Sequence, residues 1–402
     1  MTNAETNDLN PKTQDLSPKP YILVTGGAGY IGSITVNELE KAGYDVVVLD
    51  SLENGHKEAV NPKAALEIVD LKDKAATDAV FKKYKITAVV DFAAYLAVGE
   101  SMENPVKYMM NNVINFINLL EVTSANDCKY IIKSSTASTY GDPQNESDFP
   151  LKEEYTESIS PDQSGLLTGK WDGVEMAGDK FFDKIIDFYS QNTDKKLHFS
   201  KDELTKLRIP VSVYGLTKLI DELVLNKYNK LSGIESVTLR YFNVCGADPS
   251  GLIGEDKPNP TNLMSVTVLK ACGKVPELKV FGNDYPTKDG TGVRDYIHVN
   301  DLALGHVKAL QYLLQTKSSN IFNLGTGIGY TVLEVIDAVE KAAGKKIEYK
   351  IVERRTGDPV KSYADPSRAN ILLGWKTQYS LNDMAKTAWN WHSSHPNGYR
   401  QG

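Results

Sequence analysis

The 402-residue chain reads as a doubly wound α/β protein, a parallel sheet flanked by helices, with a smaller α/β lobe after it. Two observations predict this. The apolar run Tyr21-Ile22-Leu23-Val24 feeds directly into Gly26-Gly27-Ala28-Gly29-Tyr30-Ile31-Gly32, and a helical pattern then leads to a second apolar run ending in Asp50. Further strand candidates alternate with helical segments along most of the chain, and strand–helix–strand alternation is the signature of a parallel sheet.

Taken in order, residues 1–19 are polar, flanked by Pro11, Pro18 and Pro20, and lack the apolar core of a signal peptide, so a loose tail is expected there. Tyr21 to Val24 should be a buried strand. The helix behind it should run to about Ala42, where Gly43 ends it, and Asp45 to Asp50 should be the next strand. Leu66 to Val69, Ala88 to Phe92, Tyr130 to Lys133 and Ser236 to Leu239 continue the series. Asn111 to Ser124 is a helix candidate, with Val113, Ile114, Ile117 and Leu120 on one face. A long polar stretch holding Pro143, Pro150, Pro161 and Pro210 breaks the alternation. Inside it Phe181, Phe182, Ile185, Ile186 and Tyr189 recur at helical spacing, so residues 144–210 are expected to be a partly helical insertion whose apolar face packs on the main body. The expected division is a large domain over 20–243 and a smaller one over 244–402, with 294–312 returning to the first.

Composition narrows the function classes. Hydrophobic content of 41% and charged content of 24% are those of an ordinary globular chain, and a net charge of −7 argues against a broad nucleic-acid surface. Cys128, Cys245 and Cys272 form no metal-ligand spacing and no disulfide framework, which fits a reducing compartment such as the cytoplasm. No apolar run approaches a membrane span.

The chemistry-bearing residues fall into two groups. Gly26, Gly29 and Gly32 follow a strand and open a helix, which lets the backbone approach a pyrophosphate and offers it free N–H groups. Asp50, at the end of the next strand, is placed to bind ribose hydroxyls and repel a 2′-phosphate, favouring NAD over NADP. Asp70-Leu71 would flank the adenine, although a lone Asp there also suits a helix cap. In the second group, Tyr214 and Lys218 stand at i, i+4 on one helix face, where a cation favours the phenolate and brings a phenol toward general-base duty. Thr136 closes the run Lys133-Ser134-Ser135-Thr136 at a strand's carboxyl end, the side on which such sheets bind ligands.

These motifs together resemble the extended short-chain dehydrogenase/reductase family, and within it the UDP-galactose 4-epimerases. The similarity runs from Tyr21 to Pro396 apart from the insertion. It is carried by Thr25-Gly-Gly-Ala-Gly-Tyr-Ile-Gly-Ser33, Ala97-Val-Gly-Glu-Ser101, Arg240-Tyr-Phe-Asn243, Phe281-Gly-Asn-Asp-Tyr-Pro286, Asp289-Gly-Thr-Gly-Val-Arg-Asp-Tyr-Ile-His-Val299 and Asn323-Leu-Gly325. The resemblance implies a Rossmann-type sheet and a homodimer, with tightly held NAD and reversible interconversion of UDP-galactose and UDP-glucose through a 4-keto sugar. It implies Tyr214 as base, Lys218 on the nicotinamide ribose and Thr136 in place of the more usual serine. Tyr30, Ile31, Asn54, Phe92, Ala93, Ala94, Asn111, Ser134 and Tyr241 would join the glycines around NAD. Phe242, Asn243, Asn262, Leu263, Arg294, Arg355 and Asp358 would bind the UDP-sugar together with Thr136, Tyr214 and Ser362.

Two departures stand out. Leu96 takes the place where these epimerases usually carry a lysine near the cofactor, which weakens the expectation of tight NAD retention. Ser362 takes the place of a bulky tyrosine that closes the sugar pocket, which extends the expected substrates to UDP-GalNAc and UDP-GlcNAc. The sister 4,6-dehydratases usually place an Asp-Glu pair after the active-site threonine, where this chain has Ala137 and Ser138. His298 is expected to be a packed strand residue rather than a catalyst.

Overall fold

The computed structural model of the chain describes residues 20–141, 143, 145–156, 170–171, 174–175, 210–257, 260–355 and 358–399. The tail and the apolar residues from Phe181 to Tyr189 lie outside these.

Seven strands form the large sheet: β1 (Tyr21–Thr25), β2 (Asp45–Asp50), β3 (Ala65–Ile68), β4 (Ile86–Asp91), β5 (Tyr130–Thr136), β6 (Glu235–Tyr241) and, further on, Asn320–Leu324. Their spatial order is Asn320–Leu324, β6, β5, β4, β1, β2, β3, and every pairing is parallel. The run of β-branched and apolar residues in β1, β2 and β4 follows from this, because a parallel sheet is covered on both faces. Ile22, Leu23, Val24, Val47, Val89 and Val90 are all fully buried, and each such side chain contributes about 1.5–3 kcal/mol through burial.

Two layers of helix cover the sheet. On one face lie α1 (Tyr30–Lys41) and a later helix, Val299–Thr316, whose Leu302, Val307, Leu310 and Leu313 share a core with Ile22, Val24 and Val36. On the other lie α2 (Lys74–Lys83), α3 (Asn115–Ala125) and α4 (Val213–Ser232), packed on Leu23, Val47, Val89 and Ile131. The Asn111–Ser124 helix is not uniform. Met109–Ile114 is wound as a π-helix before the α-helical part begins at Asn115. In this wider turn Asn112 is buried, and its amide binds the Tyr95 backbone on both sides (2.8 and 3.0 Å) and donates to Thr217 Oγ1 at 3.1 Å.

The second lobe is built around β7 (Asn243–Cys245) and β8 (Val293–His298), paired in parallel. Gly329–Thr331 runs antiparallel to the start of β8, and Lys361–Ser362 lies parallel to it. Asp295 organises this small sheet from within: its carboxylate accepts the backbone N–H groups of Thr326 (2.9 Å), Gly327 (3.0 Å) and Ala364 (3.2 Å). The described root of the insertion leans on the same lobe, with Leu151 donating to the Tyr363 carbonyl at 2.9 Å and accepting from Asp365 at 2.8 Å. His298 is buried, stacked on Tyr379 at 3.9 Å, with Nδ1 accepting the Asn300 N–H.

Candidate active site

The glycine-rich turn leaves β1 at the point where strand order reverses, between β1 and β4, which is where doubly wound sheets open a ligand crevice. Gly26 adopts φ +67°, and a Cβ there would come within 2.9 Å of Ala93 N and 3.0 Å of the Phe92 carbonyl carbon. Only glycine therefore lets the turn close against the end of β4. A Cβ on Gly32 would collide with the Gly26 carbonyl oxygen. α1 begins at Gly29 with no side chain capping it, so its first N–H groups stay available to an anion. Asp50 is buried, with one carboxylate oxygen accepting Ala28 N–H at 2.9 Å and the other accepting Leu52 N–H at 2.8 Å. Burial pushes its carboxyl above the usual range, and these two donors partly offset that. An uncapped helix start, a turn with no room for side chains and a buried carboxylate one strand away together fit a dinucleotide.

The other expected cofactor residues fall around this cradle in different ways. Ile31 is half-buried in α1, and the Tyr30 hydroxyl donates to the Gly246 carbonyl at 2.6 Å, tying the helix to the loop after β7. Asn54 is exposed on the loop after β2. Asp70 caps no helix. Its carboxylate accepts the Lys72 N–H at 2.9 Å, and Asp73 caps α2 instead, while Leu71 is buried beside them. Ala93 and Ala94 continue from β4, and Phe92 lies against the His306 ring at 4.6 Å. Asn111 donates to Asn112 Oδ1 at 3.1 Å within the π-helical turn. Leu96 is 49% exposed in the segment that follows β4.

The catalytic candidates meet at the carboxyl end of β5. Ser212 caps α4 through the Gly215 N–H at 3.1 Å, and the Tyr214 N–H donates to Ser101 Oγ at 3.1 Å. Gly215 permits the approach that follows, since a Cβ there would lie 2.9 Å from the Ser138 carbonyl oxygen. With the helix pressed on that turn, the Thr136 side chain lies beside the Tyr214 phenol and lowers its proton affinity. Lys218, one turn on, is buried and donates to the Ser134 carbonyl at 3.1 Å and to Ser134 Oγ at 3.3 Å. Tyr241 lies next door on β6, and burial drives its phenol far up, opposed in part by the Ser134 side chain.

The expected tuning of Tyr214 is incomplete in this structure. Burial pushes its phenol up to about 12, and neither Thr136 nor the charge of Lys133 reverses that. Burial also brings the Lys218 ammonium down to about 8, aided by Lys133 and opposed by Asp221 and Asp91. These charged neighbours were missed in the sequence. A lysine inside the apolar run of β5 and an aspartate ending that of β4 were the available signals, because strands of a parallel sheet bury both faces.

The sugar-side candidates gather in the second lobe. Arg294 and Ser362 are cross-strand partners in the β8 ladder, and an Arg294 guanidinium nitrogen lies 3.4 Å from Asp358 Oδ1. Arg355 stacks on the Phe281 ring at 3.8 Å. Asn262 caps the helix that starts at Leu263 and also donates to Glu255 at 2.8 Å. Phe242 is buried with Tyr140 and Ala364, and Asn243 opens β7. Glu255, which also accepts from Ser265, was not anticipated.

Comparison with known proteins places this geometry. Residues 22–165 match the NAD dependent epimerase/dehydratase family model, and residues 195–388 match the GDP-mannose 4,6 dehydratase model. A UDP-glucose 4-epimerase of Bacillus subtilis is 41% identical, covering 94% of this chain and 98% of its own. The solved UDP-glucose 4-epimerase of Bifidobacterium longum, in complex with NAD+ and UDP, superposes with a TM-score of 0.76 at 36% identity, over 94% of this chain and 100% of that one. The UDP-Glc/GlcNAc 4-epimerase of Campylobacter jejuni does so with 0.70 at 34% identity, over 93% and 99%. With identity near 40% across almost the full length of such relatives, the chain belongs to the UDP-glucose 4-epimerase family.

Proposed function

We propose that the chain interconverts UDP-galactose and UDP-glucose at C4 with a resident NAD. The observation that carries this is the junction of Tyr214, beside Thr136, with Lys218 held on Ser134, in the crevice that Gly26, Gly29, Gly32 and Asp50 form. NAD, when bound, would supply a reversible hydride acceptor for C4. Tyr214 takes the proton of the 4-hydroxyl and gives it back, while Thr136 orients that oxygen. Lys218 binds the ribose and keeps a cation behind the phenol. Asn54, Asp70, Leu71, Phe92, Ala93, Ala94 and Asn111 are assigned to the dinucleotide.

Arg294, Arg355 and Asp358 hold the UDP end: guanidinium stays charged and forks onto phosphate oxygens, and Asp358 suits ribose hydroxyls. Phe242, Asn243, Asn262 and Leu263 complete that side. Binding energy is thereby placed remote from the reacting carbon, and the sugar is left free to turn. The small Ser362 leaves room for an N-acetyl group, so UDP-GalNAc and UDP-GlcNAc are included as substrates, a reading supported by the Campylobacter jejuni relative. Dehydration is disfavoured because Ala137 and Ser138, the two residues after Thr136, offer no acid for losing water. A homodimer is supported by the half-exposed Val98, Val106 and Met110, and a cytoplasmic setting by three free cysteines. No helix among the described residues is long and apolar enough to cross a membrane. A coupled assay of UDP-galactose conversion, with Tyr214→Phe as control, tests the reading. Inactivity of the purified protein with added NAD on both UDP-galactose and UDP-GalNAc would overturn it.

A further inference from the structure

Directly behind Lys218 lies a charge set that the proposed reaction does not use. Lys133 Nζ, wholly buried in β5, is 2.6 Å from Asp91 Oδ2 at the end of β4 and 2.9 Å from Asp221 Oδ2 on α4. All three side chains are at most 1% exposed. Thr25 of β1 donates to the other oxygen of Asp91, and the Phe116 ring lies 3.6 Å from the Lys133 ammonium. Asp221 Oδ1 has no hydrogen-bond partner among the described residues.

As structural glue this arrangement is a poor choice. Removing two carboxylates and an ammonium from water costs several kcal/mol per ion, and apolar residues of similar volume usually hold strands and helix at least as well. Its location suggests another purpose. Asp221 follows Lys218 by three residues on α4, so the two share a face. Among the described residues the only hydrogen-bond acceptors of the Lys218 ammonium are the neutral carbonyl and hydroxyl of Ser134. Two carboxylates, Asp91 and Asp221, then balance two ammoniums, Lys133 and Lys218, in one dry volume.

We propose that Asp91, Lys133 and Asp221 are positioning residues for the epimerisation: Lys133 pins both carboxylates, and the carboxylates keep the Lys218 ammonium charged and in place behind Tyr214. This rests on the base role given to Tyr214 above. The other titratable groups facing the site are Tyr108 below the π-helical turn, Tyr241 from β6, and Glu222 from α4, the last paired with Arg240.

The sign of the effect is fixed by charge. Asp221 raises the proton affinity of both Lys218 and Tyr214. Neutralising it must therefore lower both, so the whole pH window of activity moves toward acid. A residue that only braced α4 would reduce the rate without moving either limb.

The test is the pH profile of kcat for UDP-galactose conversion by the NAD-loaded protein, in the wild type and in Asp221→Asn, with thermal unfolding as a check on folding. The expected result is an acidward move of both limbs by half a pH unit or more. Asp91→Asn removes a charge of the same sign from β4 rather than α4, so it reads the same direction where Asp221→Asn does not fold. Unmoved limbs in either folded variant overturn the proposal. An inactive wild type removes the base role of Tyr214 and the proposal with it, whereas an active wild type with unmoved variant limbs removes the proposal alone.

Discussion

Ser362 stands opposite Arg294 in the parallel pairing of Lys361–Ser362 with β8. The residue proposed to bound the sugar pocket is thereby held one strand away from the guanidinium proposed to bind the diphosphate. On the proposed reading, the same short ladder would serve the sugar end and the phosphate end of one ligand.

Ser362→Tyr is expected to abolish turnover of UDP-GalNAc while leaving UDP-galactose turnover within a few-fold of the wild type. The added ring fills the volume an N-acetyl group needs, and overpacking typically costs about 1–3 kcal/mol. Parallel assays on the two substrates check this. Equal losses on both would show that the ring disturbs Arg294 instead.

Tyr214→Phe keeps the ring that packs at the head of α4 and loses only the hydroxyl. The expectation is a fall in kcat of roughly 10²–10⁴-fold, the usual contribution of a positioned general base, with the thermal midpoint little changed. Thr136→Val should cost less, because it orients the oxygen and carries no proton.

Arg294→Lys should raise KM for the UDP-sugar by ten-fold or more and change kcat less. Lysine keeps the charge but cannot fork onto two phosphate oxygens or reach Asp358 in the same plane. Steady-state kinetics at constant ionic strength separates the two parameters.

Leu96→Lys is expected to increase the fraction of protein purified with NAD attached. Leu96 is exposed in the segment that follows β4, so a lysine is accommodated there at little structural cost and adds a cation on the side proposed for the dinucleotide. Absorbance of the released cofactor measures it. An unchanged fraction would show that retention does not depend on this position.

His306 is buried, with Nδ1 2.9 Å from the Leu302 carbonyl and no partner for Nε2 among the described residues. Burial brings its imidazole down to about 4, against an unfolded value of about 6.5. Between those values the unfolded chain holds a proton that the native protein excludes, so stability falls as pH falls. His306→Phe should flatten that decline by up to about 1.4 kcal/mol per pH unit. Urea midpoints between pH 6.5 and 4.5 would read it.

The order of strands and helices was legible because the large sheet is parallel. Its strands are buried on both faces and appear as apolar runs, and its crossover helices show their own period. The glycine turn, Asp50 and the Tyr214/Lys218 pair were legible for a related reason: each depends on a local spacing that survives in one dimension. The π-helical Met109–Ile114 turn was not visible, since it differs from an α-helical one by one residue of register and its apolar pattern is almost the same.

What the sequence by itself determined is the chemistry on offer: a dinucleotide cradle, a phenol with a lysine on one helix face, and arginines suited to a diphosphate. Only the tertiary structure decided how those groups are charged. Asp91, Lys133 and Asp221 are 42 and 88 residues apart along the chain, yet the Lys133 ammonium lies 2.6 Å from one carboxylate and 2.9 Å from the other. Burial raises the Tyr214 phenol and lowers the Lys218 ammonium in the same small volume. Proton affinity depends on desolvation and on every charge nearby in space, and neither is a property of sequence spacing.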